Sequence, residues 1–206
     1  MAASTAQHPK TSDTEPFSVG YESTILEPFF ESLKRRNNVQ SLDAGPVCQE
    51  NIIYFARRVK KHYACDMFIR LHRALGEQPE PGNFCKHLDY PPRSFDGIQL
   101  WDLIDHLDDD QAGLLLERCF DMLRPAGLLM LITTEKKPEP ATINTLVIGR
   151  NYRLNFRPQQ HLELPWHGRH NRALMSLLAE FNSVRLFRYR NGLREFLFKK
   201  PGSAGD

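Results

Sequence analysis

Two hydrophobic periods alternate along this chain. Short apolar runs at residues 39–42, 63–69, 83–88, 95–100 and 128–133 read as strands, and the stretches between them carry apolar residues at helical spacing. Residues 17–36 place Ile25, Leu26, Phe29, Phe30 and Leu33 on one helical face, with Pro28 as an expected kink. After residue 48 a helix is predicted with Ile52, Ile53, Ala56 and Val59 inward. Its outer face carries Arg57, Arg58, Lys60 and Lys61, which reads as a solvated face suited to a helix C-terminus. A short helix starts at Leu71, and residues 76–82 form a turn-rich loop.

The acidic stretch 102–110 leads into a helix with Leu114, Leu115, Cys119, Met122 and Leu123 inward, broken by Arg124-Pro125-Ala126-Gly127. The run Leu128-Leu-Met-Leu-Ile-Thr133 is almost purely apolar, as a central strand covered on both faces would be. Strands alternating with helices imply right-handed crossovers and a parallel sheet. The pattern is lost over residues 135–170, although 145–148 and 152–156 are apolar in part. A long irregular segment of this kind suits an active-site cover. A helix returns at 171–181 with Leu174, Leu177, Leu178 and Phe181 inward. Residues 183–189 and 194–199 alternate around Asn191-Gly192, which predicts a β-hairpin whose Arg185, Arg188, Arg190 and Arg194 lie on an exposed face.

Composition narrows the class. The 206 residues are 41% hydrophobic and 25% charged, which suits one globular domain over 17–200 with an ordinary core. Residues 1–16 read as a disordered polar tail and 201–206 as a frayed end. A net charge of +2 gives no reason to expect nucleic acid as a partner. No apolar run is long enough for a bilayer, and the N-terminus lacks the apolar centre of a signal peptide, so a cytoplasmic protein without membrane contact is expected. Cys48, Cys65, Cys85 and Cys119 are scattered without a Cys-x-x-Cys pair, and His167 and His170 stand in a polar loop. They predict reduced thiols and no metal site. No Gly-x-Ser-x-Gly, Walker loop or His-Glu-x-x-His is present.

The chain is organised around residues 39–54, Val-Gln-Ser-Leu-Asp-Ala-Gly-Pro-Val-Cys-Gln-Glu-Asn-Ile-Ile-Tyr. A short strand turns sharply at Asp43-Ala44-Gly45-Pro46 into an apolar helix. Such a turn gathers free backbone N–H groups and a positive helix end at one edge of a sheet, where α/β proteins hold nucleotide-like ligands.

Three further blocks follow in order: Ser94-Phe95-Asp96-Gly97-Ile98, then Leu103-Ile104-Asp105-His106-Leu107, then Met122-Leu123-Arg124-Pro125-Ala126-Gly127-Leu128-Leu129. With the terminal hairpin, they make the stretch from about residue 17 to 200 resemble the class I, Rossmann-like S-adenosylmethionine-dependent methyltransferases. The resemblance implies an α/β sandwich with a mostly parallel seven-stranded sheet, a C-terminal antiparallel β-hairpin and helices on both faces. It implies S-adenosylmethionine as cofactor and a small-molecule or macromolecular methyl acceptor if the chain is active. It puts Ser41, Asp43, Ala44 and Gly45 in the cofactor loop, Asp66 near the ribose, Asp89 near the adenine and Trp101 over the transfer site. Asp102, Asp105 and His106 are then the candidate general bases.

The chain departs from the family at the loop. Where the family has an acid and three alternate glycines, this sequence has Ser41, Asp43, Gly45 and Val47. Glycine there lets the ligand approach backbone that carries no Cβ. Asp43 adds a carboxylate, Val47 a stiff branched side chain, and Ala126 replaces the first glycine of the later turn. Asp66 reads as lying early in the second strand, with Arg70 after it. Several departures falling on one ligand favour a degenerate site and a non-catalytic interaction or regulatory module with a protein partner. The alternative is an active methyltransferase holding its cofactor in an altered way. A nicotinamide oxidoreductase would need the same glycines.

Overall fold

In the computed structural model, which describes residues 18–76, 83–137 and 142–202, two sheets share the chain. The tail 1–16, most of the 76–82 loop and residues 203–206 lie outside the described residues. The six-stranded sheet is built from β2 (Gln40–Asp43), β3 (Lys61–Ala64), β4 (Phe95–Trp101), β5 (Leu123–Thr134), β8 (Asn182–Arg188) and β9 (Leu193–Lys199), in the order β3-β2-β4-β5-β9-β8. Strands β3, β2, β4 and β5 run parallel, and β9 and β8 close the sheet antiparallel. The predicted neighbours 39–42, 95–100 and 128–133 are thus adjacent, and the Asn191-Gly192 hairpin is present. Gly192 supplies the left-handed turn residue at φ 86°. The second sheet has three strands, β1 (Ser18–Glu22), β7 (Arg153–Pro158) and β6 (Asn144–Ile148), all antiparallel.

Side chains of β5 alternate between two cores. Leu129 and Leu131 join Leu42, Ile98 and Phe196 under α3 (Met67–Gly76), α4 (Asp109–Met122) and α5 (Asn171–Leu177). Leu128, Met130 and Ile132 join Phe29, Phe30 and Leu33 of α1 (Leu26–Lys34), Phe55 of α2 (Gln49–Ala56), and Leu146, Ile148 and Leu154 of the small sheet. Helices therefore cover both faces, and the small sheet lies on the α1–α2 side.

Several local expectations are corrected. Residues 17–36 hold a strand before the helix, and Pro28 sits in the first turn of α1, where no intrahelical N–H is required. The predicted strand 63–69 is mostly helix. β3 ends at Ala64, and the Asp66 carboxylate accepts from Ile69 N at 2.9 Å, starting α3. Residues Asn83–His87 form a 3-10 helix that turns Phe84 and Leu88 into the core instead of extending along β3, so the main sheet has six strands rather than seven. The irregular segment 135–170 contains the β6–β7 hairpin.

In α2, Ile52 and Ile53 are 38% and 40% exposed, Ala56 is exposed, and Asn51 and Phe55 face inward. Asn51 is drawn in because β6 is an edge strand. The side-chain amide donates to Leu146 O and accepts from Ile148 N, both at 2.9 Å. Leu114 is 43% exposed, since three consecutive leucines cannot share one helical stripe. Arg194 is fully buried rather than on an exposed face. Its guanidinium donates to Asn171 Oδ1 and to the carbonyls of Arg169 and Thr134.

Ala126 adopts φ 59°, a left-handed conformation that costs a residue with a Cβ about 1–2 kcal/mol. Ala126→Gly is expected to raise the melting temperature by about 2–4 °C in thermal unfolding, the entropy of glycine in the unfolded chain offsetting part of the gain.

Candidate functional site

The strand-to-helix turn after β2 lies where the main sheet can hold a ligand, but it is filled from within. Residues 41–46 are all buried. Trp101, the last residue of β4, is 1% exposed and has φ 52°, beside a register shift between Gln99 and Trp101. This bulge lays the indole on the turn. A Cβ placed on Gly45 would come within 2.2 Å of Trp101 Cδ1, so Gly45 is required by the indole itself. Asp43 Oδ1 accepts from Trp101 Nε1 at 2.6 Å and from Gly45 N at 2.9 Å.

The other predicted cofactor residues are also committed. Ser41 Oγ shares a hydrogen bond of 2.9 Å with His62 Nδ1, and that ring stacks on Phe55 at 4.5 Å. Burial pushes His62 down to about 4, so it is neutral. Asp66 follows β3, the position at which a ribose acid is expected, yet its Oδ2 accepts from Val47 N at 3.0 Å while Oδ1 caps α3. The Val47 side chain is 48% exposed and does not fill the crevice as expected from sequence. Asp89 is on the surface, its side chain 91% exposed and paired with Arg118 at 3.1 Å. Ala44 is buried among the core residues under β2 and β4. The space over Gly45 is indole, and the carboxylates and the Val47 N–H already have partners.

Desolvation pushes Asp43 up to about 6, the hydrogen bonds from Gly45 and Trp101 holding it back. An acid with a raised folded pKa binds more protons folded than unfolded between the two values. Its contribution to stability is therefore largest below about pH 4 and is lost as pH rises through about 6. Asp43→Asn keeps an Oδ1 acceptor for both donors. The fall in melting temperature of the wild type between pH 4 and 6.5 is expected to flatten in this variant, by the equivalent of about 2–3 kcal/mol.

The three candidate bases do converge, on the short turn after β4. Asp102, Asp105 and His106 line a small cavity with Thr134, Leu164 and Trp166. It adjoins a cleft of about 350 Å³ between the end of β5 and the small sheet, lined by Asp102, Thr134, Lys136, Lys137, Asn144 and Leu146 among others. Asp105 Oδ2 accepts from Thr134 N at 2.6 Å and Oγ1 at 3.1 Å, fastening the turn to β5. Burial pushes Asp105 up to about 7, opposed by the Thr134 N–H and helped by Asp102.

His106 donates through Nδ1 to Pro165 O at 2.8 Å, and Nε2 lies 3.9 Å from Asp102 Oδ2. Burial works against the imidazolium, but Asp102, the Pro165 carbonyl and Asp105 outweigh it, and the pKa is raised. The group can hold an imidazolium beside a carboxylate. His167 N donates to Asp105 O, and Arg169 donates to the carbonyls of Ile104 and Leu107, so the chain after β7 closes over this turn. Sequence reading missed Thr134, Trp166 and Lys137, which no local motif marks. Among the described residues no group of three His, Cys, Asp or Glu side chains is arranged to hold a metal, and no helix is long and apolar enough to cross a membrane.

No family model matches the sequence, and no curated protein matches it significantly. Solved structures do match. An S-adenosylmethionine-dependent methyltransferase from Mesorhizobium loti is 15% identical with a TM-score of 0.56, over 84% of this chain and 96% of that one. An S-adenosylmethionine-dependent methyltransferase from Methanosarcina mazei is 11% identical at 0.52, over 89% and 100%. The [4+2]-cyclase SpnF is 11% identical at 0.51, over 86% and 81%, so this architecture also serves a protein described by a different reaction. Sheet order, terminal hairpin and these likenesses together give the chain the fold of the class I S-adenosylmethionine-dependent methyltransferases.

Proposed function

We propose that this methyltransferase-like protein has a cofactor crevice closed by its own Trp101 and works as a non-catalytic interaction or regulatory module. The observation that carries the reading is the indole seated on Gly45 and tied to Asp43. A ligand entering there would have to displace a buried tryptophan and break a buried hydrogen bond, which costs several kcal/mol before any contact is made. Beside the closed crevice, Val47, Ile52 and Ile53 expose apolar surface on the turn and on α2, which supports a protein partner. Four unpaired cysteines suit a reducing, cytoplasmic setting.

Calorimetric titration with S-adenosylmethionine and S-adenosylhomocysteine tests the reading. No saturable binding is expected at millimolar concentration, where even about 4 kcal/mol would register. Micromolar binding would overturn it and make an active methyltransferase, with a methyl acceptor in the Asp102 cleft, the better account.

A further inference from the structure

The cleft beside Asp102 is open where the crevice is closed, and its polar groups are unevenly satisfied. Asp105 is 2% exposed, and its Oδ1 has no hydrogen-bond partner among the described residues. Asp102 Oδ1 is likewise buried and without a partner. Both residues line the inner cavity, where the Asp102 side chain is partly exposed, and the two buried Oδ1 atoms lie in its wall without a donor among the described residues. A buried acceptor left unpaired is costly, more so when charged, and a cationic donor recovers that cost. The basic groups of the cleft, Lys136 and Lys137, are instead exposed at its rim. Between rim and interior the wall includes Ile132, Leu146 and Phe156.

We infer that this cleft binds a small amphipathic zwitterionic amine. Its ammonium lies against Asp102 and Asp105, its apolar body over Ile132, Leu146 and Phe156, and its anionic end at Lys136 and Lys137. The order of charges follows from burial. The acids sit inside, where an ammonium gains most from a low dielectric, and the lysines sit where solvent already screens them. The outer cleft, lined by Asp102, is about 350 Å³, at the lower end of small-molecule sites, and Asp105 lies behind it in the smaller inner cavity. The inference goes beyond the closed crevice and does not depend on it.

Three probes of one shape but different charge test it: 4-(aminomethyl)benzoate, 4-methylbenzylamine and 4-methylbenzoate, titrated calorimetrically at pH 8. None carries a nucleoside, so they report on the cleft and leave the crevice to the cofactor titration. 4-(Aminomethyl)benzoate, with its two charges at opposite ends of the ring, is expected to bind most tightly, 4-methylbenzylamine more weakly and 4-methylbenzoate not at all. Asp102→Asn is expected to weaken 4-(aminomethyl)benzoate by roughly tenfold or more. Asp102 is partly exposed and its Oδ1 has no partner among the described residues, so this variant should fold. The double variant Lys136→Ala, Lys137→Ala is expected to erase the preference for 4-(aminomethyl)benzoate over 4-methylbenzylamine. Absence of saturable 4-(aminomethyl)benzoate binding by the wild type at about 10 mM would overturn the inference. So would equal binding of 4-methylbenzoate, or unchanged affinity in Asp102→Asn.

Discussion

Glu195→Ala is expected to lower the melting temperature by about 10 °C or more. Glu195 is fully buried in β9, and its carboxylate gathers donors from the small-sheet side of the molecule. Tyr21 OH donates to Oε1 at 3.0 Å, and Thr24 N and Oγ1 donate to Oε2 at 2.8 and 2.9 Å. Tyr189 OH lies 3.0 Å from Oε2. Truncation leaves the Tyr21 hydroxyl and the Thr24 N–H without acceptors. Hydrogen bonds to a charged group are worth about 1.5–3 kcal/mol each, so the loss should reach about 3–5 kcal/mol. For a chain of this size that corresponds to roughly 2–4 °C per kcal/mol. Glu195→Gln keeps the shape and one acceptor oxygen and should fall between. The effect reaches the cleft, because β1 pairs with β7, and β7 with β6, whose Asn144 and Leu146 form its wall. A Glu195→Ala protein melting within 2 °C or so of the wild type would contradict this anchoring.

Trp101→Ala should be nearly as costly. Removing a fully buried tryptophan leaves a cavity between Gly45 and the Phe29–Phe55 core, at about 3–5 kcal/mol. It also removes one of the two hydrogen bonds to Asp43 Oδ1. Backbone conformation separates this account from simple loss of packing. At φ 52° alanine keeps the left-handed strain and glycine relieves it, at a cost in unfolded-state entropy. Trp101→Gly is therefore expected to be the more stable of the two variants, by up to about 1 kcal/mol, in side-by-side denaturant unfolding. The reverse order would show that Trp101 is not held in the left-handed region.

These two residues also mark what sequence reading reaches. The parallel centre was legible because Leu128 to Thr133 has no polar face to turn outward. The terminal hairpin was legible because Asn191-Gly192 fits one tight turn. Asp102, Asp105 and His106 were candidates through the resemblance alone, and the 3-10 turn after β4 is what sets them around one small cavity. The closure at Trp101 was not legible. It depends on a bulge at the end of β4 and a positive φ, and nothing in Leu100-Trp101-Asp102 calls for either. Asp66 was read into a strand because Tyr63 to Ile69 is apolar enough for one. Its carboxylate instead caps α3, which puts the acid where a ribose acid belongs and spends it on Ile69 and Val47. Arg194 was read as exposed from alternation alone, but its partners Arg169 and Asn171 come from a segment more than twenty residues away. Glu195, beside it, is buried toward the opposite side for the same kind of reason.

The central claim is that Trp101 closes a crevice the fold would otherwise offer to S-adenosylmethionine. It is tested most directly by titrating S-adenosylhomocysteine calorimetrically into wild type and Trp101→Gly under identical conditions. The closed-crevice account predicts no saturable heat for the wild type up to about 1 mM and measurable binding by the variant, which keeps the turn at Gly45 and loses the indole above it. Wild-type binding as tight as that of Trp101→Gly would contradict it.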